Sequence, residues 1–60
     1  MEVLYKRYQS AVRYSRMVDG YCPTEQDAII TARRMLVDDK LFKVVVVIGD
    51  TEYVIERDQV

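Results

Sequence analysis

Apolar positions are densest at Val44-Val45-Val46-Val47-Ile48, a β-branched run that ends at Gly49-Asp50 and gives way to Thr51-Glu52-Tyr53-Val54-Ile55-Glu56. β-Branched residues favour the pleated strand, and glycine at the first central position of a two-residue loop suits a type II′ turn. The pattern predicts a closing β-hairpin in which Ile48 faces Thr51, Val46 faces Tyr53 and Val44 faces Ile55 on one side. Val45 then faces Val54, Val47 faces Glu52 and Lys43 faces Glu56 on the other. The first side is expected to meet a helix, and the second leaves three valines ringed by charge.

Upstream, the apolar period lengthens. Ala28, Ile29, Ala32, Met35 and Leu36 recur at helical spacing, with Arg33 and Arg34 on the opposite side, so a helix is predicted from about Glu25 to about Asp38. Thr24 is placed to cap it, Asp27 three residues later forms a short capping box, and Glu25 complements the positive end of the dipole.

The first 22 residues admit two readings. As a helix, Leu4, Tyr8, Ala11, Val12, Ser15 and Val18 share one side, with Asp19-Gly20 as the stop. As strands, Val3 to Tyr8 and Val12 to Tyr21 form a hairpin that turns near Gln9-Ser10. A lone two-stranded hairpin is marginal without more sheet to join, which favours the strands. The expected fold is therefore α+β: a small antiparallel ββαββ sheet with one helix packed on one face. The alternative is an ααββ chain with an N-terminal helix. Sixty residues bound this to a single domain, 1–60, with a small core and no room for a pocket walled by one protomer.

The charge is nearly balanced, at −1 overall, but unevenly spread. Residues 1–22 carry Lys6, Arg7, Arg13 and Arg16 against Glu2 and Asp19, whereas residues 38–60 carry Lys40, Lys43 and Arg57 against Asp38, Asp39, Asp50, Glu52, Glu56 and Asp58. Such asymmetry guides head-to-tail contacts or recruits a charged partner, although a mixed solvated surface is its commoner explanation. One cysteine forms no internal disulfide, and neither a secretory segment nor a bilayer-length apolar stretch is present, so a cytoplasmic chain without membrane association is expected.

Catalytic chemistry has little to build on. There is no histidine to act as a base or metal ligand, Ser10, Ser15, Thr24, Thr31 and Thr51 have no identifiable activating base, and two glycines do not make a phosphate-cradling loop. The chain is read as a non-enzyme with no catalytic residue, no metal and no cofactor. Cys22 is expected to be a small buried hydrophobe beside the helix cap. Asp50, Glu52, Glu56 and Asp58 are weighed as a cation site and read instead as charges that protect an exposed strand, or that meet a basic partner. Tyr5, Lys6, Arg7, Tyr8, Arg13, Tyr14 and Arg16 interleave aromatic and basic groups, as a surface that stacks bases and neutralises phosphates would require.

Tyr5-Lys6-Arg7-Tyr8, Met17-Val18-Asp19-Gly20-Tyr21, the helix start Thr24-Glu25-Gln26-Asp27-Ala28-Ile29 and the final hairpin together give an order of elements. That order resembles the small accessory proteins of bacteriophages and mobile elements. The resemblance implies a binding or inhibitory role toward a host macromolecule and transfers no functional residue. The expected function is thus a small protein-binding module that inhibits or modulates a host macromolecule, with a nucleic-acid-binding module as the alternative. Candidate partner-binding residues are Tyr5, Arg7, Tyr8, Arg13, Tyr14, Arg16, Val45, Val47, Glu52, Val54 and Glu56. A homodimer that buries the open valines is also expected.

Overall fold

In the computed structural model, which describes residues 1–57, two β-hairpins flank a single helix. The strands are β1 (Val3–Tyr8), β2 (Tyr14–Asp19), β3 (Lys43–Ile48) and β4 (Thr51–Glu56), and helix α1 spans Glu25–Asp38. They form one sheet in the order β2-β1-β3-β4, every neighbouring pair antiparallel. The ββαββ reading holds, and the N-terminal helix of the alternative is absent. The predicted second strand is shorter at both ends. Gln9–Arg13 forms the connecting loop, with Gln9 N–H donating to Arg13 O at 3.0 Å and Arg13 N–H to Ser10 Oγ at 3.2 Å, and at the far end Tyr21 N–H donates to Asp19 Oδ1 at 2.9 Å in a turn.

Strands β2 and β3 run parallel with β1 between them, so α1 is the crossover of a split β-α-β unit. That pairing puts β1 at the centre. Its register sets Tyr5 beside Val46 and Arg7 beside Val44, while the closing hairpin has the predicted pairs from Lys43↔Glu56 to Ile48↔Thr51. Gly49 has φ of 60° and Asp50 does not share the positive sign, as a II′ turn requires.

The core lies between α1 and one face of the sheet. Val3, Tyr5, Val44, Val46 and Ile55 pack from the strands against Ala28, Ala32 and Leu36, with Ile29 and Met35 partly buried beside them. Small residues at 28 and 32 let the helix approach the sheet closely, and Leu36 fills the space at its C-terminal end. Cys22 is buried as expected, its thiol donating to Thr24 O at 3.2 Å.

Both helix ends are capped. Thr24 Oγ accepts from Asp27 N–H at 3.2 Å and donates to the Asp27 carboxylate at 2.8 Å. At the other end Lys40 N–H donates to Val37 O and Leu41 N–H to Leu36 O, which is a Schellman closure with Leu41 packed into the core. Lys40 occupies the left-handed position, φ 53°, that usually takes glycine. A side chain there costs about 1 kcal/mol. Lys40→Gly is therefore expected to raise the thermal midpoint by about 4–8 °C, read by circular dichroism.

Tyr5 is fully buried, and its hydroxyl closes no hydrogen bond. Burial above all, then the nearby Cys22 and Asp19 groups, raises its phenol above the ordinary 10.0 despite an opposing influence from Thr31. The fold therefore favours the neutral phenol. That contribution is whole below pH ~10, the unfolded value, and is lost as pH rises through the higher folded value. Tyr5→Phe is expected to hold or raise stability at pH 7 by about 1 kcal/mol, and to lessen the loss seen above pH ~10 in urea titrations.

Candidate functional site

Because α1 covers one face of the sheet, the period-two alternation of every strand assigns the remaining side chains to the other face. The registers arrange that open face in three rows across β2-β1-β3-β4: Tyr14, Tyr8, Lys43, Glu56; then Arg16, Lys6, Val45, Val54; then Val18, Leu4, Val47, Glu52. No other element of the described chain lies over these rows.

Apolar groups run through the middle and the third row. Val18 and Val54 are exposed, Leu4 and Val47 are half-buried, and Val45 is only 6% exposed because its neighbours on a central strand already shield it. The expectation of an uncovered Val45 is corrected in that respect. The exposed apolar surface has moved outward, to Val54 on one edge strand and Val18 on the other.

Charge is sorted across the same face. Lys6 and Arg16 stand directly opposite one another on β1 and β2, while Glu52 and Glu56 project from β4. A like-charge cross-strand pair costs up to about 1 kcal/mol. The aromatic corner lies beside it: the Tyr8 and Tyr14 rings stack at 4.7 Å and 27°, Lys43 Nζ sits 4.6 Å from the Tyr8 centroid, and Lys6 Nζ lies 5.9 Å from that of Tyr14. Hydrogen bonding from Arg16 and its charge, with Lys6 adding to it, hold the Tyr14 phenol below 10.0.

The candidate residues divide between the two faces. Tyr8, Tyr14, Arg16, Val45, Val47, Glu52, Val54 and Glu56 share the open face. Tyr5 lies in the core under the helix, and Arg7, on the same side, pairs with Asp39. Arg13 sits in the β1–β2 loop. Leu4, Lys6, Val18 and Lys43 complete the open face although none was among the candidates. Alternation groups Leu4 and Lys6 with Tyr8 on one side of β1, and the pairing of β1 with β3 settles that this side is the open one.

Among the described residues no group of three potential metal ligands gathers, and Asp58 lies outside them. No helix among them is long and apolar enough to cross a membrane. A shallow groove on the outside of α1 is lined by Ile30, Arg33, Arg34, Val37 and Asp38. All five come from one helix, so it lacks the second wall that encloses a small molecule. Comparison with protein-family models, curated proteins and solved structures returns no match.

Proposed function

We propose that the chain is a small non-catalytic protein-binding module whose docking surface is the open face of the sheet. The observation that carries this reading is the face itself: Leu4, Val18, Val47 and Val54 span its four strands, with basic Lys6 and Arg16 on β1 and β2 and acidic Glu52 and Glu56 on β4. Apolar contact supplies affinity there, and the sorted charges fix orientation. The element-level resemblance to small phage accessory proteins makes inhibition or modulation of a host macromolecule the role that suits such a surface.

Affinity capture from a native-host lysate with three baits tests this. The wild type and Ile30→Lys, altered on the outside of α1, are expected to retain the same partner. Val54→Lys is expected to lose it. Equal retention by all three baits, or nothing above an empty resin, would contradict the proposal.

A second reading has one observation in its favour, the stacked Tyr8–Tyr14 pair beside Lys6, Arg16 and Lys43. Sheets bind single strands with such groups. Here the rings lie against each other, and two carboxylates occupy the far strand of the same face, where they repel phosphate. Fluorescence anisotropy with a labelled single-stranded oligonucleotide at low salt is expected to show no binding. Saturable binding that weakens steeply with added salt would reverse the order of the two readings.

A further inference from the structure

We infer, resting on the reading of the open face as a docking surface, that its occupant is a second copy of this chain, placed by a twofold axis that lies between the sheets and runs parallel to the strands. Two identical faces pack isologously only through a twofold axis, and for face-to-face sheets with aligned strands the axis runs either along the strands or across them. An axis across the strands, over the middle row, lays β2 on β2 and β4 on β4, which sets Arg16 against Arg16, Lys6 against Lys6 and Glu52 against Glu56. An axis along the strands lays β2 of one copy on β4 of the other.

Only the second arrangement is complementary. The register then places Arg16 above Val54, between the Glu52 and Glu56 positions that flank it on the same strand face. Leu4 falls above Val47 and Tyr8 above Lys43. Lys6 already leans toward the β2 edge, its Nζ 5.9 Å from the Tyr14 centroid, and so toward the partner's acidic strand. Both ends of the interface gain the same contacts, because the symmetry repeats them.

The like-charge pair points the same way. Lys6 and Arg16 face each other directly across β1 and β2, an arrangement unfavourable within one sheet. Carboxylates from a second copy neutralise it. Four strands about 4.8 Å apart and six residues at about 3.3 Å each give a face of about 20 by 20 Å. Two copies thus remove on the order of 1,000 Å² from water, at the lower limit of specific interfaces, and a dissociation constant in the micromolar range is expected. Self-association and capture of another protein then compete for one surface.

Sedimentation equilibrium of the full chain from about 10 μM to 1 mM tests the geometry. The wild type is expected to dimerise at low salt and to weaken as salt screens the charges. Arg16→Glu and Glu52→Arg, both at exposed positions, should each weaken the dimer about tenfold or more, and the double variant should recover it to within about threefold of the wild type. A wild type that stays monomeric throughout overturns the inference, as does a double variant no better than either single one, which would place any contact elsewhere, edge-to-edge pairing included. A tighter dimer in Arg16→Gln, which removes the charge that a crosswise axis sets against its own copy, would indicate that axis instead. The salt dependence needs no variant and holds the test if a variant fails to fold. Monomeric wild type with capture still lost in Val54→Lys removes the second copy and keeps the docking face. Loss of both removes the face.

Discussion

Leu36→Ala is expected to remove most of the stability of this domain. Leu36 is fully buried at the C-terminal end of α1, where it fills the space between helix and sheet beyond the close approach at Ala28 and Ala32. Truncating a buried leucine costs about 2–5 kcal/mol, because the transfer term is lost and the cavity collapses only in part. A sixty-residue domain holds about 3–9 kcal/mol in total. The truncation also takes from Leu41 the apolar partner that accompanies the Schellman closure, since the two side chains belong to one cluster. Urea unfolding followed by circular dichroism should show the midpoint falling by more than half. An unchanged midpoint would mean that the helix does not pack on the sheet as described.

The second large effect falls on association and spares the fold. Val47 is half-buried in the third row of the open face, between Leu4 and Glu52. In Val47→Lys the introduced ammonium stands directly across from the Glu52 carboxylate, so the isolated chain tolerates it at a cost of about 1 kcal/mol or less. Against a partner surface the same charge must be stripped of water in an apolar contact, where it costs several kcal/mol. The expected result is at least a tenfold loss of association by light scattering, with a thermal midpoint within about 8 °C of the wild type. Loss of both together would indicate that Val47 belongs to the core.

Much of this was legible in the sequence, for local reasons. The helix bounds followed from Thr24, Asp27 and the 28-29-32-35-36 stripe, and the closing hairpin from Gly49, whose positive φ fixes the turn and with it the register. What stayed hidden depends on contacts distant in sequence. Val3-Tyr5-Arg7 and Leu4-Lys6-Tyr8 are equally mixed in polarity, so alternation alone does not say which set faces the helix. The pairing of β1 with β3 decides it, and it sends Tyr5 and Arg7 inward. The same pairing made β3 a central strand, which is why Val45 is shielded within one chain. It also turned a basic beginning and an acidic end into a gradient across a single face. Lys40 in a left-handed conformation had no signal at all, since the closure that holds it there is supplied by Leu41 and Leu36.

The central claim is that the open face of the sheet, and not the outside of the helix, makes the contact. Amide chemical-shift mapping of the labelled chain as its concentration is raised tests this most directly. The account predicts that shifts concentrate at Leu4, Lys6, Arg16, Val47, Glu52 and Val54, with Ile30, Arg33 and Val37 unmoved. Shifts that cluster along Ile30, Arg33 and Val37, or none on the sheet at millimolar concentration, would contradict it.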